Sequence, residues 1–485
     1  MLTLWTLFQI IYIVAVTLVC LRIIYDTQSF SKTLAYLLLV VLVPIFGMIF
    51  YLSFGINYRK RKMYSKKLII DDELSQKLKK ELLAYFKIAF QSAKTSLDDY
   101  KKLINMITTD TISSVSANNT VELLFNGENK FPKVIETLKN AKHHIHIEYY
   151  IFEDDTIGNQ IVDLLIQKAQ EGVEVRFIYD AYGSRAIRGK TLKRLKAAGV
   201  QAFPFHRVIF IFLANRLNYR NHRKIIIIDG SEAFIGGINI SDRYINSPEV
   251  KQMYWRDTHL YIKGHAVYVL QHTFMCDWNF CASDTLGPTL DFFPPPNSFN
   301  VTNSKVVQIA ASGPDSVTPT ILYSLLQVIN LAKKEVLITT PYFIPSESIM
   351  DALIIAALGG VKVKLLVPGA SDSRFVNAAA RSYYKYLLHA GVEIYVYQKG
   401  FVHAKTVAVD RKIAVVGTAN MDYRSFDLNF EINAIVYDEA VASELSDAFY
   451  MDIESADLID PEEWNKRSKA AKLIEKSARM VSPLL

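Results

Sequence analysis

The sequence predicts an α/β protein made of two tandem repeats packed around one active site, preceded by an N-terminal transmembrane helical hairpin. Three observations predict it: two long apolar runs begin the chain, a short His/Lys motif occurs twice, and apolar strands alternate with helical stretches around each copy. The length of 485 residues has room for two to four domains. We expect residues 1–57 to be the hairpin, 58–115 a basic and helical connector, 116–297 the first repeat and 298–485 the second repeat with a C-terminal helix.

The composition is compatible with a membrane protein and an anionic partner. Apolar residues make up 51% of the chain and aromatic residues 12%, which is high for a purely soluble protein. The net charge of +7 does not choose between nucleic acid, a membrane surface and a phosphorylated substrate. Cys20, Cys276 and Cys281 fit neither a disulfide framework nor a zinc site, which suits a reducing compartment.

The two apolar runs, residues 2–24 and 34–54, each have roughly the length of a bilayer-crossing helix. The first lacks the basic start and the small-residue cleavage site of a signal peptide. The link at 25–33 is short, so a hairpin is predicted. Only Arg22 and Lys32 flank the link, whereas a basic cluster follows the second run. That cluster consists of Arg59, Lys60, Arg61, Lys62, Lys66 and Lys67.

This charge asymmetry predicts a multi-pass membrane protein with both termini and the repeats on the cytoplasmic side. The basic cluster could also attract anionic headgroups, or it could serve as a topology signal and nothing more.

Between the membrane segment and the repeats lies a charged stretch at 71–106. Leu74, Leu78 and Leu82 recur at helical spacing within it. This connector helix either packs on the body of the protein or lies along the membrane, and the sequence leaves both open. Residues 113–119 are rich in serine and asparagine and predict a domain boundary.

The remainder of the chain repeats itself. Apolar strands at 145–152 and 336–344 are followed by matching Gly-Val strands at 172–175 and 360–363. The tyrosine pair Tyr150 and Tyr342 is offset by 192 residues, and the two Ala-Gly-Val segments that follow helical stretches at 191–198 and 381–390 have the same offset. Agreement of this kind predicts two copies of one α/β unit. Residues 293–296 and the polar run after them are the predicted linker.

The first copy of the motif begins at His222. Four isoleucines follow Lys224, which is typical of a buried strand. Residues two apart on a strand share a face, so His222 and Lys224 are expected to point the same way. The lysine can hold an anion, and its charge disfavours protonation of the histidine, which suits a nucleophile that meets a phosphate. Alone, the pattern fits a solvated surface strand equally well.

The second copy, His403, Lys405 and Asp410, keeps the spacing of His222, Lys224 and Asp229. In both copies a Gly-rich turn begins 14 residues after the histidine (236 − 222 = 14; 417 − 403 = 14) and an asparagine follows at 17. Those asparagines are Asn239 and Asn420. A weak motif repeated together with its downstream elements becomes a strong signal for a two-part site.

The duplicated H-x-K-x-x-x-x-D followed by Gly-(Gly/Thr)-x-Asn resembles the phospholipase D superfamily. Within that superfamily the chain is similar to bacterial cardiolipin synthases of the two-helix type, which implies a location in the bacterial cytoplasmic membrane. The similarity extends over nearly the whole length and includes Pro44, Gly47, Tyr51, Phe54, Gly55 and the segments 148–152, 220–224, 277–278 and 482–485.

The resemblance implies a reaction without a metal or other cofactor. One histidine would attack the phosphorus of phosphatidylglycerol to form a phosphohistidine, and the other would protonate the departing glycerol. A second phosphatidylglycerol would then attack, giving cardiolipin. By analogy His222 is the nucleophile and His403 the acid-base group, although the symmetric sequence does not support that choice. Lys224, Lys405, Asn239 and Asn420 would bind the phosphate oxygens.

The resemblance also leaves the histidines in need of groups that orient their second ring nitrogen. Asp257 and Glu431 are the candidates; the alternative is that they are ordinary strand-end carboxylates. The family motif counts Asp229 and Asp410 among its residues. They lie seven positions after their histidines, an odd number, so a regular strand would turn them away and give them a structural role.

A basic cluster leads into the first motif, and its role is open. Arg207, Arg216, Arg220 and Arg223 could hold headgroups at a bilayer surface or could lie in a solvated loop.

Two rival functions remain: a membrane-anchored hydrolase or nuclease of the same superfamily, and a non-catalytic scaffold. No nucleic-acid partner is expected beside phosphatidylglycerol and the bilayer. The sequence does not predict the acceptor range, the acyl-chain preference or the oligomeric state.

Overall fold

A computed structural model describes residues 4–27, 30–54, 97–110, 113–205, 219–247, 249, 252–295, 299, 301 and 304–481. The chain divides into two units, Met1–Ile69 with Arg207–Tyr219 and Ile70–His206 with Arg220–Leu485. Most of the predicted connector, including Leu74, Leu78 and Leu82, lies outside the described residues, as do Arg207 and Arg216 of the basic cluster.

The described part of the N-terminal unit contains three helices, α1 (Leu4–Asp26), α2 (Phe30–Leu42) and α3 (Pro44–Phe54). Within the residues the structure describes, α1 alone is long and apolar enough to cross a membrane as one helix. The prediction of a single continuous helix over residues 34–54 was wrong. The chain bends at Val43 because Pro44 has no amide hydrogen and disfavours helical geometry in the residue before it.

The bend folds α3 back against α2. The rings of Tyr36 and Tyr51 lie 5.4 Å apart, whereas fifteen residues of straight helix would separate them by about 22 Å. Gly47 makes the close approach possible, since a Cβ there would lie 2.5 Å from the carbonyl oxygen of Leu39. The hydroxyl of Tyr51 also donates to the carbonyl of Arg22 at the end of α1. The three helices therefore form one small cluster.

The second unit is built from one long mixed sheet. The strands of the first repeat are β1 (Ser116–Phe125), β2 (His144–Tyr149), β3 (Glu174–Tyr179), β4 (Gln201–Pro204), β5 (Arg220–Asn221), β6 (Lys224–Ile228), β7 (Glu232–Gly236), β8 (Tyr254–Arg256) and β9 (Thr258–Gly264). Those of the second repeat are β10 (Lys305–Ser312), β11 (Glu335–Thr339), β12 (Phe343–Ile344), β13 (Lys362–Pro368), β14 (Glu393–Tyr397), β15 (Gly400–Val402), β16 (Thr406–Val409), β17 (Ile413–Gly417), β18 (Met421–Asp422), β19 (Asn429–Tyr437) and β20 (Ala456–Leu458).

The strand order shows the duplication directly. The first repeat runs β4-β3-β2-β6-β7-β9-β1, and the second runs β10-β19-β17-β16-β11-β13-β14-β20. Three strands of each repeat are parallel, namely β2, β3 and β4 in the first and β11, β13 and β14 in the second. The inner strands are antiparallel, and the second repeat adds β20 at its edge, antiparallel to β14. Strands β1 and β10 pair across the boundary, for example Ser116 with Val307. The two copies are therefore joined edge to edge into a continuous sheet with matching halves.

Helices cover the faces of this sheet and supply much of the core. They are α4 (Lys101–Asp110), α5 (Asn126–Lys139), α6 (Thr156–Gln170), α7 (Lys190–Ala197), α8 (Val267–Cys281), α9 (Thr320–Asn330), α10 (Glu347–Leu358), α11 (Arg374–His389), α12 (Tyr423–Asp427), α13 (Glu439–Ile453), α14 (Pro461–Lys466) and α15 (Lys469–Val481). Each repeat has its own apolar core of inward strand and helix residues, as the strand-helix alternation predicts. The polar stretch at 113–119, predicted to be a boundary, overlaps the start of β1, which begins at Ser116.

Candidate active site

The two motif histidines lie in short irregular segments just before β6 and β16, not within the strands as the sequence suggested. Each segment is held by the other repeat. The amide of His222 donates to the carbonyl of Phe430 at 3.0 Å, and the amide of His403 donates to the carbonyl of Arg256 at 2.7 Å. Two parallel strand pairs, β5 with β19 and β15 with β8, frame these contacts. The motifs are thus brought together by reciprocal pairing between the repeats.

A carboxylate of the second repeat orients the histidine of the first. The Nδ1 atom of His222 lies 2.9 Å from both carboxylate oxygens of Glu431. Two neighbours fix that carboxylate: the hydroxyl of Thr418 donates to it at 2.5 Å and the amide of Asn429 at 3.2 Å. Glu431 is fully buried. This arrangement leaves Nε2 of His222 as the ring nitrogen available to react.

The reverse exchange occurs at the second histidine. The Nδ1 atom of His403 lies 2.7 Å from Asp257 of the first repeat, which is also fully buried. The carboxylate sits directly against Gly237, where a Cβ would lie 2.1 Å from Asp257 Oδ1. Gly237 and Thr418 occupy matched positions in the two Gly-(Gly/Thr)-x-Asn segments. In one copy this position makes room for the carboxylate, and in the other it donates a hydrogen bond to it.

Both imidazoles are neutral at neutral pH. Burial lowers the pKa of His222 to about 4; Glu431 opposes this effect and the Lys224 ammonium adds to it. Burial also lowers the pKa of His403 to about 3, reinforced by Lys405 and opposed by Asp257. Burial alone would raise the pKa of Glu431, but His222 and Lys224 outweigh it and the pKa lies below its usual value. The site therefore holds two uncharged rings, each with Nδ1 bound to a buried carboxyl group, a state suited to nucleophilic attack.

The two lysines lie beneath the histidines. The ammonium of Lys224 donates to the carbonyl of His222 at 2.7 Å, and that of Lys405 donates to the carbonyl of His403 and lies 3.1 Å from its Nε2. Burial lowers the pKa of Lys224 to about 7 and that of Lys405 to about 8, although nearby carboxylates oppose the change. Each lysine therefore places its positive charge beside the histidine of its own motif.

Both histidines line one cavity of about 320 Å³. Asn239 and Asn420 are also on its wall. Asn239 accepts from the amide of Ile151 at 3.3 Å and donates to the hydroxyl of Tyr244 at 2.8 Å, whereas Oδ1 of Asn420 has no hydrogen-bond partner among the described residues. The structure thus brings together all the predicted histidines and asparagines on one cavity wall.

Several cavity residues were missed by the sequence analysis. The hydroxyl of Tyr244 lies 3.4 Å from Nδ1 of His403, and the ring of Tyr150 packs edge-on against His222 at 4.8 Å. Tyr244 follows Asn239 by five residues, but nothing in that spacing indicates a contact with the other repeat. Three arginines complete the wall, namely Arg220, Arg243 and Arg424.

The signature aspartates, Asp229 and Asp410, do not contact the motif histidines His222 and His403. Asp229 accepts three backbone amide hydrogen bonds, from residues 142, 143 and 144, at 2.8–2.9 Å. Asp410 does the same with the amides of residues 333–335 at 2.7–2.8 Å. Both have positive φ values, 49° and 52°, as they leave β6 and β16 for a tight turn. Their carboxylates tie that turn to the start of the neighbouring strand in each repeat.

Neither described arginine of the predicted headgroup-binding cluster is exposed. Arg223 is buried and forms an ion pair with Asp277 on α8. Arg220 is 6% exposed and contributes to the cavity lining. Its buried Nη1 lies 3.9 Å from Asp180 and has no hydrogen-bond partner in the described part of the chain. The prediction of surface arginines was therefore wrong for these two, because the strand pairing around β5 draws them inward.

Comparison with known proteins follows the same division of the chain. A family model described as cardiolipin synthase, phospholipase D-like domain, matches residues 134–253 and 325–453. A second, described as phospholipase D-nuclease N-terminal, matches residues 2–55. The first model covers one segment in each repeat, so the duplication seen in the sheet is also seen in sequence.

Similar proteins of known name span almost the whole chain. Cardiolipin synthase 2 of Bacillus anthracis is 41% identical over 96% of this chain and 88% of its own. Cardiolipin synthases of Alkalihalophilus pseudofirmus and Clostridium perfringens are 39% and 40% identical, over 98% and 95% of this chain and 93% and 95% of theirs. Among solved structures, phosphatidylserine synthase of Haemophilus influenzae has a TM-score of 0.58 at 15% identity, covering 75% of this chain and 95% of its own. At this low sequence identity the likeness supports a shared fold and no more.

Proposed function

We propose a reaction course for this chain, which belongs to the cardiolipin synthase family of phospholipase D-like phosphatidyltransferases. The enzyme transfers a phosphatidyl group from one phosphatidylglycerol to a second and releases glycerol. A phosphohistidine links the two halves of the reaction. The observation that carries this proposal is the pair of buried histidines on one cavity, each with Nδ1 bound to a carboxylate of the other repeat.

In the first half, Nε2 of one histidine attacks the phosphorus and the bond to the glycerol oxygen breaks. The second histidine donates a proton to that oxygen. It gains this proton when the anionic phosphodiester binds, because a nearby negative charge favours the imidazolium. In the second half the same histidine removes a proton from the hydroxyl of the incoming phosphatidylglycerol. That oxygen attacks phosphorus, and the bond from phosphorus to the nucleophilic histidine breaks.

Charge balance is supplied by groups already in place. Glu431 and Asp257 stabilise positive charge on their imidazoles as each ring forms a bond or takes a proton. Lys224 and Lys405 oppose the negative charge that builds on the phosphate oxygens, and Asn239 and Asn420 donate hydrogen bonds from the cavity wall.

We assign His222 as the nucleophile and His403 as the acid-base residue by analogy with the family. A phosphatidyl ester of p-nitrophenol tests the assignment because this leaving group needs no proton donor. His403→Ala should release one equivalent of nitrophenol per enzyme and accumulate the phosphohistidine, whereas His222→Ala should give no burst. The opposite pattern would reverse the assignment, and steady turnover by the double variant would refute the mechanism.

Product analysis separates transfer from the rival hydrolysis. With phosphatidylglycerol as the only lipid, we expect cardiolipin and free glycerol in equal amounts. Phosphatidic acid as the main product would instead identify a membrane-anchored hydrolase. A nuclease would cleave an oligonucleotide phosphodiester, which we expect this enzyme to leave intact.

For the membrane, we propose a multi-pass hairpin with both termini and the catalytic repeats on the cytoplasmic side. The excess of lysine and arginine at residues 59–67 supports this orientation. The fold-back of α3 on α2 favours an alternative arrangement. In it α1 crosses the membrane once, and α2 and α3 enter and leave on the same side. Labelling a cysteine added at the N-terminus with an impermeant maleimide decides: protection in intact cells fits the hairpin, and labelling fits a single crossing.

A further inference from the structure

The C-terminal helix α15 has one face packed on the second repeat. Its buried Glu475 bonds with Arg381 of α11 at 3.1 Å and with Arg467 at 2.6 and 3.1 Å. Ala478 is also buried on this face, and Arg479 lies over the ring of Tyr383, 5.6 Å from its centroid. These contacts fix the helix firmly and so determine which residues face outward.

The outward face of α15 is mainly apolar, with the small residues Ala470 and Ser477 between its larger side chains. Leu473 and Ile474 are 67% and 65% exposed, and Met480 is 84% exposed. At 3.6 residues per turn these three side chains fall within about one third of the helix circumference. Isolated exposed apolar residues are ordinary, but three on one sector of a helix form a surface that favours removal from water.

A cationic stripe separates this apolar sector from the packed face. Lys469, Lys472 and Lys476 fall on neighbouring positions of the helical wheel, with Arg479 at the border of the packed face. The acidic residue of the helix, Glu475, is buried in ion pairs. A helix with an apolar face beside a row of lysines has the character of one that lies in the plane of an anionic bilayer.

The helix also lies close to residues that line the active-site cavity. Burial raises the pKa of Tyr423, a cavity residue, to about 12, and the nearby Arg479 opposes that rise. The N-terminal end of α11, against which α15 packs, contributes Val376 to the same cavity. A surface that binds bilayer at α15 would therefore hold the cavity within reach of lipid headgroups.

We propose that α15 is a second membrane contact of the protein, in which Leu473, Ile474 and Met480 enter the surface of a bilayer rich in anionic phospholipid. The lysine stripe lies at the headgroup level. This contact acts in addition to the N-terminal apolar helices and positions the catalytic repeats for a lipid substrate. It does not depend on whether the second half-reaction is transfer or hydrolysis.

The test compares two forms of one substrate with the full-length protein. Phosphatidylglycerol with short acyl chains is presented as dissolved monomers, and long-chain phosphatidylglycerol is presented in vesicles that contain the reconstituted enzyme. Leu473→Asn with Ile474→Asn should lower turnover on vesicles roughly tenfold while leaving monomer turnover unchanged. The monomer assay shows that the fold and the chemistry survive.

A matched control removes equally exposed apolar residues elsewhere. Ile355→Asn with Leu358→Asn, on α10, replaces side chains that are 66% and 72% exposed without neighbouring lysines on that helix. This control should retain the wild-type ratio of vesicle to monomer turnover. Lys469→Gln with Lys476→Gln should lower vesicle turnover and weaken its dependence on salt.

Two outcomes overturn the proposal. An unchanged ratio of vesicle to monomer turnover in the Leu473/Ile474 variant would show that α15 does not contact bilayer during catalysis. An unchanged ratio together with a smaller particle in detergent would assign the face to contact between copies of the chain. Absence of cardiolipin from the wild-type reaction would count against the proposed transfer, not against this contact, because release of phosphatidic acid gives the same ratio.

Discussion

Glu431 of the second repeat and His222 of the first are joined through Nδ1 at 2.9 Å to each carboxylate oxygen. The mirrored bond, from Asp257 of the first repeat to His403 of the second, is 2.7 Å long. Each repeat therefore supplies one histidine and also the carboxylate that binds the histidine of the other repeat. This exchange makes the orientation of both reactive rings depend on the contact between the repeats.

Replacing the carboxylate with an amide of the same shape tests the electrostatic part of this contact. Glu431→Gln keeps a hydrogen-bond acceptor for Nδ1 but removes the charge that stabilises a positive imidazole. We expect kcat to fall about 10²–10⁴-fold with little change in KM. Glu462→Gln, at an exposed position on α14, should leave kcat unchanged. A loss of less than about threefold in Glu431→Gln would indicate that its role is packing alone.

A methyl group at Gly237 tests the position of the other carboxylate. Because the added Cβ would lie 2.1 Å from Asp257 Oδ1, Gly237→Ala must displace Asp257 from His403. We expect kcat to fall about 10–100-fold. At Gly287 a Cβ would meet no atom within 4 Å, so Gly287→Ala is the matched control and should behave like wild type. Full activity in Gly237→Ala would contradict the proposed positioning of His403 by Asp257.

The pKa values predict a bell-shaped pH profile for kcat/KM. The histidines, with pKa values lowered by burial to about 4 and 3, remain neutral until the pH falls well below 5, so the nucleophilic ring keeps its lone pair. The lysines, lowered by burial to about 7 and 8, lose their positive charge as the pH rises through those values. Activity should therefore fall on the alkaline side near pH 7–8 and on the acid side near pH 4. A rate that stays constant to pH 10 would contradict the role of the lysine charges.

The same shifts affect stability in a defined direction. The unfolded histidines have pKa values near 6.5, above the folded values, so the unfolded chain binds more protons between these limits. The contribution of His222 and His403 to the free energy of unfolding is complete above about pH 6.5 and is lost as the pH falls towards the folded values. Denaturant titrations at pH 7 and pH 5 measure it. His222→Gln should reduce this pH dependence, and an unchanged dependence would assign it to other groups.

The aspartates of the motif should affect folding rather than chemistry. Asp229→Asn weakens three hydrogen bonds to backbone amides and removes their charge assistance, which we expect to cost about 1–3 kcal/mol of stability. The melting temperature should fall, while the amplitude of the nitrophenol burst per folded enzyme stays the same. A lost burst at unchanged melting temperature would place Asp229 in the reaction itself.

Much of the fold could be predicted because its signals are local or repeated. The equal offsets of Tyr150 and Tyr342 and of the two Ala-Gly-Val segments indicated a duplicated α/β unit, which the strand order shows. The bend at Val43 was missed because a hydropathy run treats Pro44 as one weakly polar residue, whereas the lost amide changes the path of the chain.

The site was predictable as far as the motif residues carry it. Spacing indicated His222, Lys224, His403 and Lys405, and the need to orient a ring nitrogen pointed to Asp257 and Glu431. Strand parity also suggested that Asp229 faces away. Neither Tyr244 nor the Gly237/Thr418 difference carried such a signal, since their roles depend on contacts between residues more than 10 positions apart.

The exchange of carboxylates has a consequence for how such a chain can arise. A half-length ancestor with one repeat would hold a histidine, a lysine and a carboxylate, but that carboxylate would be placed to bind the ring of another copy and not its own. It could complete the site only by associating with a second copy of itself, and would then have two identical halves. Fusion of the two copies removes that requirement for association and frees them to diverge, as Gly237 and Thr418 have done, so that one ring can specialise as nucleophile and the other as proton carrier.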